Sequence, residues 1–425
     1  MTLNRVAMRI ATAVLACALV APSGTATVAS AAEVTAPTKR WVGFYIPGAP
    51  ADTSDLAALE SKVALRAGVR NYFQNFEEGF TSDEASAVIA HGAMPLITLE
   101  FKGSTGAPIT LRDIANGRCD AYLRSYAREA AAFGREVWLR PLHEMNGNWY
   151  TWGGTAETNT PADFVPAWRH IWEIFDAEGA TNVKFVWCPN IESIPSVDKR
   201  PDNAIATYWP GDAYVDYMAL DGYNFGPDPK DPNMKWRSFE SLFAPAYAQL
   251  RAISDKPMFV AETGCATSGD KAGWIAEMFR VVPVKFPLLL GIGWFHVNSD
   301  RAWRIDTCAS SVQAFVAGSS GTGWLNKTAP LMTISPSRRT VYRSRSFTLA
   351  GVLRPGRYRS PVSIEVRRPG SRVWVRAATV RTASSGSWRI TTRLRVRGTY
   401  YYRARFAGDL GRRPSLSRAA RVVVR

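Results

Sequence analysis

The chain has 425 residues, too many for one ordinary domain, and length alone predicts two or three. With 46% hydrophobic and 12% aromatic residues it has the makings of a real core, which excludes wholesale disorder. The net charge of +16 is unevenly spread. From Leu331 onward there are 23 arginines, no lysine and two acids, so this part carries 23 − 2 = +21 and residues 1–330 carry 16 − 21 = −5.

The first element is a leader. Arg5 and Arg9 precede the apolar run "IATAVLACALVA", and "ASAAE" supplies small residues before an acid. This pattern predicts a secretory signal peptide over residues 1–32, cleaved after Ala31 or Ala32, with Cys17 discarded and no retained membrane segment. A secreted, extracellular or cell-wall-associated protein is expected, for which nucleic acid is not a partner. Four cysteines remain, Cys119, Cys188, Cys265 and Cys308, and they permit three pairings. None has CxxC spacing, so disulfides or buried thiols are expected rather than a zinc site. Cys265 and Cys308 follow adjacent predicted strands and are the preferred pair.

From Lys39 to about Trp324, short apolar runs alternate with helical stretches. The runs are "WVGFYI" (41–46), "VRNYFQNF" (69–76), "AMPLITLE" (93–100), "EVWLRPLH" (136–143), "NVKFVWCP" (182–189), "YVDYMALD" (214–221), "PMFVAE" (257–262) and "LLLGIGWFHV" (288–297). The helical stretches include "DAYLRSYAREAAAFG" and "PADFVPAWRHIWEIFDAEG", the second opened by Thr160 and Pro161 and closed by Gly179. Eight strand–helix units over 39–324 predict an α/β fold, a (β/α)8 TIM barrel. A doubly wound open sheet is the alternative. No Gly-rich phosphate loop follows the first strand, which lowers a nucleotide-binding reading.

Residues 325–332 read as a linker. Beyond it, "SFTLAGVL", "VSIEVRR", "VWVRAATV", "SWRITTRLRV", "TYYYRARF" and "ARVVVR" are short alternating strands separated by turns. They predict a small all-β immunoglobulin-like sandwich over 333–425, similar to Ig-like modules appended to secreted bacterial enzymes. Its arginines have two readings: a solvated spacer, favoured here, or a binding face for anionic wall polymers such as teichoic acids.

The chemistry of a barrel collects where its strands end. Those ends carry Glu100, the His143–Glu144 pair, Trp187 and Asn190, Asp221 and Tyr223, Glu262, and Trp294 with His296. Carboxylates, aromatics and amides at one mouth suit a polyhydroxylated substrate. The histidines are scattered without paired spacing, so neither metal nor cofactor is expected. Glycosidic cleavage needs one protonated acid and one ionised carboxylate in different surroundings. Glu144, amid Met145, Trp149 and Trp152, suits the proton donor. Glu262 in "FVAETG", near Tyr223 and His143, suits the nucleophile. Glu100 and Glu192 are competing acids, and Asp221 is expected to orient the strand-six loop.

"RPLHEMNGNWYTWGG" (140–154), "YWPGDAYVDYMALDGYN" (208–224), "KPMFVAETG" (256–264) and "GIGWFHVN" (291–298) stand in the order of the motifs of glycoside hydrolase family 26, which residues 40–320 resemble. The resemblance implies a secreted, retaining endo-β-1,4-mannanase with Glu144 as acid/base and Glu262 as nucleophile. It implies a site-positioning role for His143, a hydrogen bond from Tyr223 to the nucleophile, and substrate-cleft roles for Trp149 and Trp294, the latter beneath the cleaved sugar. Some relatives cleave mixed-linkage β-glucan or β-1,3-xylan, and a non-catalytic glycan-binding barrel is the further alternative. A monomer acting on polysaccharide is expected.

Overall fold

The computed structural model describes residues 35–102, 108–228, 231, 234–321, 323–325, 331–354, 359–408 and 415–425. The expected leader, residues 1–32, and residues 326–330 of the expected linker lie outside these. Eight parallel strands close into a barrel: β1 (Trp41–Tyr45), β2 (Val69–Asn75), β3 (Met94–Glu100), β4 (Val137–Pro141), β5 (Val183–Trp187), β6 (Tyr217–Asn224), β7 (Met258–Cys265) and β8 (Leu289–Phe295). The ring closes where Trp41–Tyr45 pair with Gly291–Phe295. The chain is therefore a TIM barrel over this span.

Among the described residues eight helices surround the strands: α1 (Ser54–Lys62), α2 (Ser82–His91), α3 (Leu111–Ala115), α4 (Asp120–Phe133), α5 (Phe164–Ala177), α6 (Phe239–Ile253), α7 (Lys271–Lys285) and α8 (Ala309–Ser319). Their limits follow local chemistry. In α4, Leu123, Tyr126, Ala127 and Ala130 form one apolar stripe, and Gly134 stops the helix at φ 64°, where a side chain would be strained. Before α5, Thr160 and Asp163 form a reciprocal capping box around a 3-10 turn.

Side chains alternate between the barrel interior and the helix layer. Trp41, Trp138 and Phe259 plug the interior below the site, with the Phe259 ring 5.3 and 5.2 Å from the two indoles. Val260 and Ile292 face the helices. The alternation breaks in β7. Leu220 pairs with Val260 but Asp221 pairs with Glu262, so Ala261 is an extra residue, a β-bulge. Without it, Phe259 and Ala261 facing inward would leave Glu262 among the helices. The bulge turns Glu262 into the mouth instead. β8 accommodates it with Gly293, where an added Cβ would lie 2.1 Å from the Ala261 carbonyl oxygen. Strands β6 and β7 also run three residues beyond their expected ends, pairing as far as Asn224 and Cys265.

The four cysteines described are free thiols, so the expected Cys265–Cys308 pair is not formed. Cys265 is buried in β7. Cys308 is exposed ahead of α8, where its sulfur meets the hydroxyls of Ser311 at 2.9 Å and Ser310 at 3.2 Å. No helix among the described residues is long and apolar enough to cross a membrane.

The remaining strands are β9 (Leu331–Met332), β10 (Ser335–Pro336), β11 (Thr340–Val341), β12 (Ser346–Arg354), β13 (Pro361–Arg367), β14 (Val375–Arg381), β15 (Ser387–Arg393), β16 (Gly398–Phe406), β17 (Ser415–Leu416) and β18 (Ala420–Val424). One sheet joins β9, β10, β12 and β15, the other β11, β13, β14, β16, β17 and β18. Phe347, Leu349 and Trp388 from the first meet Val362, Ile364 and Tyr402 from the second in one core. Strand β9 lies within the span expected as linker, because Met332 is buried in this core and pairs with Leu353.

Candidate active site

Glu144 follows β4 in a backbone that turns sharply, with Leu142 at φ 51° and Glu144 at φ 55°. Non-glycine residues in this region are costly and persist where surrounding contacts enforce them. Here the Glu144 amide donates to the Cys188 carbonyl at 2.8 Å. Its carboxylate is 8% exposed and accepts two hydrogen bonds, from Trp149 Nε1 at 2.7 Å and Asn190 Nδ2 at 2.8 Å. Asn190 is held in turn by Asn146, whose side chain accepts from the Asn190 amide at 2.8 Å and donates to its carbonyl at 2.9 Å. Gly147 lets the Trp149 indole lie against the chain, since a Cβ there would be 2.4 Å from that ring.

Glu262 has different surroundings. Its Oε1 accepts from Asn71 Nδ2 at 3.0 Å and from Arg140, and its Oε2 accepts from the Tyr223 hydroxyl at 2.6 Å. Arg140 is fully buried and also donates to Asp221 at 2.5 Å and to the Thr98 hydroxyl at 2.7 Å. Thr98 donates to Asn71 Oδ1 at 2.8 Å, closing a chain of contacts around Glu262. One cation thus stands between two carboxylates, and burial of its charge is outweighed by Asp221 and Glu262, which hold Arg140 protonated.

The two glutamates diverge accordingly. Burial, and secondarily the charge of Glu262, pushes the Glu144 carboxyl up from 4.5 to about 7. Glu144 can therefore hold a proton near neutral pH while Glu262 accepts from three donors. Both line one cleft with Tyr45, Phe73, Tyr223, Phe225, Phe295 and Trp303. Tyr45 stacks on Phe295 with centroids 4.6 Å apart, and Trp303 meets Phe225 edge-on at 5.1 Å.

Glu144, Glu262 and Tyr223 thus share the cleft, and Trp149 stands 45% exposed above Glu144. Trp294 was expected beneath the cleaved sugar and is instead buried, while His143, expected to position the site, lies beneath the cleft. His143 is 1% exposed beneath the cleft, with Nε2 3.2 Å from the Tyr150 hydroxyl. Burial first, then Arg140 and Lys102, lowers its pKa well below the usual histidine value, so it is neutral. Trp294 is completely buried in the helix layer against Trp274 and Phe315, its indole donating to the Trp303 carbonyl at 2.9 Å. Strand alternation gives the cleft position to its neighbour, Phe295. Of the competing acids, Glu100 lines the cleft with its Oε1 paired to Lys102 at 2.8 Å, while Glu192 is exposed and paired to Arg237. Asp221 is buried under the site as the partner of Arg140. Arg140, Asn71, Thr98 and Asn146 were not singled out in the sequence.

Residues 125–266 match the profile of the family described as Glycosyl hydrolase family 26. About a third of the chain is thus similar to that family. Endoglucanase H of Acetivibrio thermocellus is 33% identical over 280 residues, covering 64% of the chain and 30% of that protein. A mannan endo-1,4-beta-mannosidase A and B of Caldalkalibacillus mannanilyticus is 30% identical over 182 residues, covering 40% of the chain and 31% of that protein. A beta-1,3-xylanase, TXYA, from a Vibrio species is 26% identical over 271 residues, covering 56% of the chain and 53% of that protein. The chain thus spans less than a third of the length of the first two of these proteins. The family match itself ends at Ala266, so Phe295 and Trp303, on and after β8, lie beyond it.

Proposed function

We propose that this protein is a retaining endo-glycosidase that hydrolyses internal β-1,4-mannosidic bonds of mannan, galactomannan or glucomannan, and that its leader directs it out of the cell. One observation carries the reading. Two glutamates share an aromatic-walled cleft, one protonated near pH 7 by burial and the other held by Arg140, Asn71 and Tyr223.

Each group has a task in double displacement. Glu262 attacks the anomeric carbon as Glu144 gives its proton to the glycosidic oxygen. The carbon–oxygen bond breaks, its electron pair leaves with that oxygen, and an ester to Glu262 forms. Glu144, now a carboxylate, takes a proton from water, whose oxygen attacks the same carbon and displaces Glu262. Tyr223, Arg140 and Asn71 keep the nucleophile aimed while its charge is spent and restored. Trp149 and Asn190 stabilise Glu144 when it carries charge.

A second reading, mixed-linkage or β-1,4-glucan as substrate, is favoured by the longer similarity to endoglucanase H. Reducing-sugar release from galactomannan, glucomannan, mixed-linkage glucan and β-1,3-xylan separates the two readings. The mannan reading expects the first two to be cleaved fastest; preference for mixed-linkage glucan replaces it with the second. Activity surviving in Glu262→Ala contradicts both.

A further inference from the structure

The charge of the β-sandwich remains to be explained. On its six-stranded sheet several arginines are engaged. Glu365, the one acid described between residues 331 and 425, accepts from Arg403 at 2.6 Å and lies 3.8 Å from Arg405. Arg403 and Arg367 lie over Trp374 at 4.3 and 5.5 Å, and Arg367 also covers Tyr401 at 4.5 Å.

One end of the sandwich is different. Several backbone segments meet there. The turn at 342–345 is tied to the end of β15 by Ser344 N to Leu394 O at 2.7 Å, and to the chain terminus by Arg343 N to Arg425 O at 2.9 Å. Val423 N to Arg339 O at 2.8 Å brings in the segment before β11. These contacts gather Arg339, Arg343, Arg345, Arg393, Arg395 and Arg397, all exposed. Among the described residues none of the six has a carboxylate partner. Like charges held together repel, and the core that stabilises the sandwich does not need them there.

We propose that this end is a binding site for a polyol-phosphate polymer, a flexible chain of phosphodiesters. Guanidinium presents paired donors that match two phosphate oxygens, and the module has no lysine among its 23 arginines. The end offers charge with few ring faces: Tyr342 is its one exposed aromatic among the described residues, at 70%. It therefore suits a polymer read through charge rather than through sugar rings or bases. The site is independent of the reaction in the barrel and would hold the enzyme on an anionic matrix.

The test uses the full chain and fluorescently labelled polyglycerol phosphate, with binding followed by anisotropy at about 50 and 300 mM NaCl, spanning strong and weak screening. The wild type is expected to bind and to weaken at the higher salt. R343Q/R345Q/R395Q/R397Q is expected to lose roughly tenfold or more in affinity, as removal of four convergent charges implies. R354Q/R372Q/R376Q/R381Q removes as much charge elsewhere and is expected to lose less than about twofold. Circular dichroism and barrel activity of both variants should match the wild type. No binding, equal losses in the two variants, or equally tight binding of polygalacturonate or single-stranded DNA would overturn the proposal.

Discussion

Glu144 and Glu262 are chemically identical side chains made different by what surrounds them. The charge of Glu262 contributes to raising Glu144, so Glu262→Gln should lower the Glu144 pKa, while burial keeps it above 4.5. A carbon-13 NMR titration of the labelled carboxyl in that variant measures it; an unchanged value refutes the coupling. Trp149 works in the opposite sense, because its indole N–H favours the charged form. Activity is expected to fall as pH rises through about 7, where Glu144 loses its proton. In Trp149→Phe that alkaline limit should move upward and kcat should fall roughly tenfold, a weaker acid being a poorer donor. A limit that stays put would show that the indole contact does not tune the acid. Both glutamates were legible in the sequence because each closes or interrupts an apolar run. Arg140 was not: an arginine inside "VWLRP" looks like an intrusion until the barrel sets it between Asp221 and Glu262. Asn71 and Thr98 were hidden likewise, as polar residues within "VRNYFQN" and "MPLITLE" whose neighbours come from other strands.

At the scale of elements, the bulge in β7 decides where the nucleophile points. Gly293→Ala would place a methyl group against the Ala261 carbonyl and force β7 and β8 apart. A stability loss of roughly 1–3 kcal/mol is expected from such overpacking. The kcat should fall at least about tenfold as Glu262 leaves its donors. Full activity with a displaced β7 would contradict this role. The same bulge limits what periodicity can tell. The runs located all eight barrel strands, but their alternation shifts by a residue here, and a two-residue period cannot report an insertion it does not contain. Trp294 was misplaced for a related reason: adjacent aromatic residues, Trp294 and Phe295, occupy opposite faces of β8, and composition alone does not say which is inward.

For the whole molecule, a raised carboxyl links the site to stability. The folded chain keeps the Glu144 proton up to about pH 7, whereas a free glutamate releases it near 4.5. The folded form therefore binds more protons in this window, and stability falls as pH rises through it. The interval corresponds to about 3 kcal/mol at 1.36 kcal/mol per pH unit. Glu144→Gln should lose this dependence, with a Tm close to the wild type at pH 4 and higher than it at pH 8; parallel Tm profiles would contradict it. The charge changes sign close to where the barrel strands give way to the two sheets, and β9 begins inside the expected linker. What charge could not show is that some arginines pair with Glu365 or cover aromatic rings while those at one end have no carboxylate partner among the described residues, because that depends on which turns the fold brings together.

The central claim is that Glu144 and Glu262 act as acid/base and nucleophile in a two-step displacement. It is tested most directly by proton NMR of the first product formed from a β-linked oligosaccharide that the enzyme cleaves, such as mannohexaose. Double displacement predicts that the β-anomer appears first and then mutarotates to the equilibrium mixture. The α-anomer appearing first would contradict the account.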